Sequence, residues 1–277
     1  MTDCSPSASD LLSDTASKTL ITMAEAVMNA GHKLMEVSKC VDELSVSEKS
    51  LGDFVSEADR QAEDELAAAL EQEFPTYGWI GEETGTREGG SAGMKWIADP
   101  LDGTTNFLSG LPHWAVSVAL YKNNQALAAA IFDPSKGEMF SAELGRGAFL
   151  NGKPIRVNTS APSSSTLLAT GVPAGGRTTY LRQSLNDLER LMPQTAGVRR
   201  WGAAALDLAY VACGRVDAYW ERNLGPWDIA AGTLIVEEAG GEVMPLWPDT
   251  QVLETGSFIA GHRRMVDWVS SQLDRSR

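Results

Sequence analysis

One stretch constrains the architecture of this 277-residue chain more than any other: Trp96-Ile97-Ala98-Asp99-Pro100-Leu101-Asp102-Gly103-Thr104-Thr105-Asn106. An apolar triplet with the character of a buried strand runs directly into two aspartates, and a glycine and two threonines then lead into the next element. The pattern recurs. Trp79-Ile80 stops at Gly81-Glu82-Glu83, and Pro226-Trp227-Asp228 opens an apolar helical segment. Taken singly, each acid has a structural reading: Asp102 or Asp228 as a helix cap, Asp99 as part of an Asp-Pro turn, Asp59 in a capping box with Ser56. Taken together, carboxylates at the ends of several buried elements are explained by one constellation.

Length and composition leave room for such a site. A chain of 277 residues is near the upper end for one hydrophobic core, so a large domain or two associated lobes are expected. With 43% hydrophobic and 22% charged residues it is an ordinary globular composition. The balance of 23 basic against 37 acidic residues, −14 in all, argues against a nucleic-acid partner. Cys4, Cys40 and Cys213 are widely spaced and odd in number, which points to free thiols and a reducing, cytoplasmic setting. The polar start of the chain lacks the features of a signal peptide, and no apolar run reaches membrane-spanning length.

Periodicity predicts a helix over 11–37, an extended piece at Asp53-Phe54-Val55, and a second helix opening at Ser56 and ending before Phe74-Pro75. Strands are expected at Trp79-Ile80 and 96–98, with a polar, mobile loop over 84–93 between them. An antiparallel meander follows over 114–120, 126–132 and 138–142, then a turn-rich stretch over 145–152. Beyond a Ser-rich link at 160–165, a strand at 167–171, an exposed helix at 180–191, a buried helix at 203–213, a strand at 218–220 and a helix at 228–239 alternate. This divides the chain into a flexible tail over 1–9, an α+β lobe over 10–160 and an α/β lobe over 161–277, forming one compact unit.

Hard divalent cations take several oxygen ligands, and Mg²⁺ is usually held by a few carboxylates, water and substrate phosphate. Asp99 and Asp102 suit that role, and the backbone N–H groups of the Gly103-Thr104-Thr105 run would hold a phosphate beside them. His32, His113 and His262 are too scattered for zinc, and His113 reads as a packed, hydrogen-bonded residue. Gly145-Arg146-Gly147 is not a dinucleotide fingerprint, and there is no Walker A pattern.

These motifs resemble the inositol monophosphatase family over nearly the whole chain: Asp53 to Asp59 before helix two, Gly81-Glu82-Glu83, Asp99-Pro100-Leu101-Asp102-Gly103-Thr104-Thr105-Asn106-Phe107, and Trp227-Asp228-Ile229-Ala230-Ala231-Gly232 followed by Glu238-Ala239-Gly240-Gly241. The resemblance implies a layered α/β fold, the alternating α-β-α-β-α sandwich of the inositol monophosphatase and fructose-1,6-bisphosphatase type. It implies that Glu82, Asp99, the Leu101 carbonyl and Thr104 surround a first metal, and Asp99, Asp102 and Asp228 a second. A third ion would be reached from Glu82 through water, with Asp59 hydrogen-bonding in that shell. Gly103 and Thr104 would hold phosphate through their N–H groups, and Glu82 and Thr104 would activate the attacking water. Ala204 and Glu221, with Asp102 and Asp228, would contact the substrate's ring and hydroxyls.

The activity so implied is Mg²⁺-dependent hydrolysis of a small phosphorylated polyol, inositol monophosphate first, using two or three ions, with Mn²⁺ as a substitute and Ca²⁺ or Li⁺ inhibitory. Histidinol phosphate, fructose 1,6-bisphosphate and 3′-phosphoadenosine phosphate are the alternatives in the same reaction class. A regulatory or RNA-metabolism protein that keeps the fold is the alternative outside it. Relatives are commonly homodimers. Trp201, where a smaller or polar residue is usual, and Ala203, where Ser is common, depart from the family pattern in the region expected to choose the substrate.

Overall fold

The structure, a computed structural model, describes residues 6–43, 46–50, 53–90, 93–174 and 178–276. A 3-10 turn, Ala8–Leu11, precedes α1 (Lys18–Val37), and the hairpin β1 (Val46–Ser50) and β2 (Asp53–Ser56) leads into α2 (Glu57–Glu73). Then follow β3 (Gly78–Gly81), β4 (Gly85–Arg87), β5 (Met94–Asp102), α3 (Thr104–Leu108), β6 (Ala115–Lys122), β7 (Gln125–Asp133), β8 (Glu138–Glu143), β9 (Gly147–Leu150) and β10 (Lys153–Pro154). The second half contains β11 (Leu167–Thr170), α4 (Leu181–Leu191), β12 (Gly197–Arg199), α5 (Ala204–Ala212), β13 (Ala218–Glu221), α6 (Pro226–Glu238), β14 (Glu242–Pro245), α7 (Val252–Thr255), β15 (Phe258–Gly261) and α8 (Arg263–Gln272).

Among the described residues the larger sheet runs β10-β9-β8-β7-β6-β5-β3-β4, and a second runs β12-β11-β13-β15-β14. The β6-β7-β8 meander is antiparallel as expected, whereas β3 and β5 pair in parallel. The layers follow from which side chains each strand sends to each face. Trp79, Trp96, Ala98, Val118 and Phe132 pack against α1 and α2 on one face of the larger sheet. Ile97, Ala119, Ile131 and Phe140 face the other way, onto α5 and α6, whose far side meets Ala169, Tyr219 and Ala260 of the second sheet. Leu168, Trp220 and Ile259 cover that sheet's outer face with Leu191 of α4 and Val266 of α8. The result is the α-β-α-β-α sandwich. Each fully buried side chain such as Met23, Leu34 or Phe132 contributes about 1.5–3 kcal/mol against the ordering entropy.

Several sequence expectations are corrected. The helix predicted over 11–37 starts at Lys18, because Ser17 caps it by accepting the Leu20 N–H at 3.2 Å. Ala8, of the expected tail, and Leu11 pack into the core as a separate turn. Part of the expected loop over 84–93 is β4, paired antiparallel with β3; Ser91 and Ala92 of that loop lie outside the described residues. The stretch over 145–152 includes β9. The helix expected to be exposed, α4, buries Ser184, Asp187 and Leu191. The sequence reading assigns no element after Gly241, where β14, α7, β15 and α8 stand, α8 burying Met265, Val266 and Val269 on one face. Cys4 and the Ser56 side chain lie outside the described residues; Cys40 and Cys213 are free thiols. No helix among the described residues is long and apolar enough to cross a membrane.

Candidate metal centre

Strand register brings the first two acids together. Gly81 of β3 pairs with Ala98 of β5 in parallel, so the next residues in each chain, Glu82 and Asp99, emerge side by side. Asp102 needs a further device. Residues three apart on a regular strand point to opposite faces, yet the β5–β6 register shifts between Asp99, opposite Ser117, and Asp102, opposite Ala115. This extra residue on β5 turns Asp102 back to the inner face that Ile97 and Asp99 share, and the irregularity spans Pro100 and Leu101, the first of which has no N–H to lose from the ladder.

Asp228 arrives from the first turn of α6, where its carboxylate accepts the Gly225 N–H at 2.6 Å. Glu82, Asp99 and Asp228 each offer a carboxylate oxygen within 4.8 Å of the others. Asp102 stands beside this group: its two oxygens accept the Ala204 and Ala205 N–H groups at 3.2 and 2.7 Å. No side chain of α5 itself caps that helix, so Asp102 supplies the cap from the other half of the molecule. The Ala204 N–H, on the residue expected to contact substrate, is thus engaged with Asp102.

Burial pushes the Asp99 and Asp228 carboxyls well above the usual carboxylate range, and the neighbouring acids push further, Glu82 first for Asp99 and Asp102 first for Asp228. Burial likewise raises Asp102, to about 8, against the lowering effect of the Ala205 and Ala204 amides. Hard oxygen donors that repel one another in a desolvated pocket are the donor set a divalent cation relieves. The residues present therefore fit such an ion.

Thr104 lies alongside. Its Oγ1 is 3.0 Å from Asp59 Oδ1 and 3.1 Å from the Leu101 carbonyl, and its single proton serves one of them at a time. Gly103, which caps α3, has φ +92, and a Cβ there would meet the His113 carbonyl at 3.1 Å and Ala203 Cβ at 3.2 Å. Only glycine makes this turn without strain. Glu221, at the end of β13, accepts a hydrogen bond from the Tyr219 hydroxyl two residues earlier on the same face.

The match to known proteins settles the family. The inositol monophosphatase family model matches residues 16–276. The chain belongs to the inositol monophosphatase family. An inositol-1-monophosphatase of Rhizobium meliloti (strain 1021) is 42% identical over 253 residues, 91% of this chain and 95% of the relative. The Nus factor SuhB of Pseudomonas aeruginosa is 45% identical over 242 residues, 86% of this chain and 89% of the relative. The crystal structure of the extragenic suppressor protein suhB from Bartonella henselae superposes with a TM-score of 0.90 at 39% identity, covering 94% of this chain and all of that one. As a member of the inositol monophosphatase family, the chain is a phosphatase by kinship, and the acidic cluster stands where its layers meet.

The histidines stand apart from the acidic cluster. His113 is packed as expected, tilted against Trp201 at 5.5 Å between ring centroids, but its Nε2 makes no hydrogen bond. Burial, with Lys136 nearby, lowers its pKa to about 4. Trp201, His113 and Tyr210 pack against one another as a three-ring cluster. Sequence reading passed over Glu63, Asn106, Asp207 and Tyr219. Asn106 ties the His113 and Trp201 carbonyls together at 2.7 and 2.9 Å, and its place in the Asp99–Phe107 run was the available signal. Asp207 is buried, its carboxyl pushed well up by desolvation, and nothing in the local sequence marks it.

Proposed function

We propose that this chain hydrolyses small phosphate monoesters with Mg²⁺ bound at Glu82, Asp99 and Asp228, and that inositol monophosphate is its first substrate. The convergence of those three carboxylates beside the Thr104–Asp59 pair carries the reading. Asp102 and the Leu101 carbonyl complete the donor set. The bound cation supplies charge neutralisation on the phosphoryl oxygens and a water acidic enough to attack at neutral pH.

The chain's own groups do the rest. With its own O–H donated to Asp59 as a hydrogen bond, the Thr104 hydroxyl presents lone pairs to the attacking water and accepts a hydrogen bond from it. Glu82 orients that water from the other side and takes its proton. The leading amides of α3, at Gly103 and Thr104, receive the phosphate. Glu221, held by Tyr219, accepts from the substrate's hydroxyls, with Asp228 and the Ala204 region lining the same side. Inhibition by Li⁺ and Ca²⁺, substitution by Mn²⁺, a cytoplasmic setting and a homodimer belong to the same reading.

Phosphate release with and without Mg²⁺ tests it, across inositol monophosphates, histidinol phosphate, fructose 1,6-bisphosphate and 3′-phosphoadenosine phosphate. A Mg²⁺-dependent preference for inositol monophosphates is expected; preference for another member would overturn the substrate and leave the chemistry. Glu82→Gln is expected to fold and lose turnover by at least about a hundredfold; retained turnover would remove Glu82 from the mechanism. The relatives named Nus factor SuhB favour a second reading, a regulatory protein that keeps the fold, and release from no substrate in the panel would make it the better one.

A further inference from the structure

Glu63 lies wholly inside the protein, on α2, one helical turn after Asp59. Four donors converge on its carboxylate: the Trp79 Nε1–H at 3.2 Å, the Glu83 N–H at 2.8 Å, the Thr84 N–H at 3.0 Å and the Thr84 hydroxyl. A carboxylate is the one acidic form that only accepts, so the set is fully matched. Three of the donors belong to the turn that joins β3 to β4, the turn that carries Glu82. The fit is tight, since a Cβ on Gly81 would stand 2.1 Å from Glu63 Oε1.

Glu82 is therefore fixed from both sides. The β3–β5 ladder holds the residue before it, and Glu63 holds the amides of the two residues after it. Because Asp59 and Glu63 sit four apart on one helix, a single face of α2 orients both Thr104 and the Glu82 turn.

We infer that Glu63 is a positioning residue for the catalytic centre: through the Glu83 and Thr84 amides it sets where Glu82 stands toward the cation. The inference rests on the proposed role of Glu82. Glu63→Gln replaces one acceptor oxygen by a donor that faces N–H groups, and the turn must shift to relieve the clash.

The test is Mn²⁺ binding to the purified full chain by titration calorimetry, alongside the Mg²⁺ dependence of phosphate release. Glu63→Gln is expected to weaken Mn²⁺ binding and raise the Mg²⁺ needed for half activity by at least about tenfold, the usual effect of losing a group that orients a ligand. KM for substrate at saturating Mg²⁺ should change by less than about twofold. Should Glu63→Gln fail to fold, Thr84→Val decides: on an exposed residue it removes one donor, and a weaker shift in the same direction is expected, with Thr84→Ser restoring wild-type binding. Wild-type Mn²⁺ affinity in Glu63→Gln, or in Thr84→Val where Glu63→Gln does not fold, with binding lost in Glu82→Gln, would overturn the inference alone. Wild-type affinity in Glu82→Gln, or no binding by the wild type, would overturn it together with the proposed function.

Discussion

Asp102 shows how one side chain joins the acidic cluster to the fold. Its two oxygens cap α5 across the layer boundary, while its charge helps raise Asp99 and Asp228. Tyr219 has a comparable double position, buried against Phe258 with its hydroxyl on Glu221. Desolvation holds its pKa well above the usual phenol range, so the hydroxyl stays a donor. A hydrogen bond to a charged acceptor contributes about 1.5–3 kcal/mol. Tyr219→Phe is accordingly expected to raise KM for inositol monophosphate several-fold and to leave kcat within about twofold, by steady-state kinetics. A fall in kcat at unchanged KM would separate Glu221 from substrate binding.

At the scale of elements, the site depends on places where regular structure is interrupted or compressed. The irregular register of β5 puts Asp99 and Asp102 on one face, and the tight β3–β4 turn places Glu82 beside them. The α5–α6 contact is compressed at Gly232, where a Cβ would stand 2.5 Å from Leu208 Cβ. Two effects oppose each other in Gly232→Ala. Helix propensity favours alanine by about 1 kcal/mol, and forced separation of packed helices costs about 1–3 kcal/mol. The rigid, fully buried Leu208 backs the contact, so the cost wins and a net loss of stability is expected in urea denaturation. A gain would show that α5 and α6 part freely.

At the scale of the molecule, the α5–α6 layer is shared by both sheets, and the carboxylates gather where α6 and β5 meet. This makes stability depend on pH with a definite sign. Asp102 is held at about 8 in the folded chain, with Asp99 and Asp228 also raised, whereas an unfolded aspartate titrates near ~3.9. Between those values the folded state keeps protons that the unfolded state has lost, so the cation-free protein loses stability as pH rises from about 4 to about 8. A cation that binds the ionised cluster reverses the loss. Calorimetric Tm values in chelator and in Mg²⁺ should therefore differ more at about pH 8 than at about pH 5; an equal gain at both would mean that the ion binds elsewhere.

The acids at element ends and the Asp99–Phe107 run were legible because they are local: apolar runs, turn residues and motif spacing all lie within a few positions, and the layered fold was legible only through the family those motifs resemble. The start of α1 and the strand β4 were less so, since a local cap and a pairing partner, not periodicity, set them. Glu63 and Tyr219 were not legible at all. A lone Glu in an acidic helix and a Tyr in an apolar strand carry no signal of what lies across the sheet from them. The sequence by itself determined which carboxylates were available and which elements they end. Tertiary structure alone decided that Glu82, Asp99 and Asp228 meet within 4.8 Å, that Asp102 turns to cap α5, and that Glu63 reaches the Glu82 turn. Strand register, a bulge and helix packing act between residues far apart in the chain, where spacing along the sequence no longer measures distance.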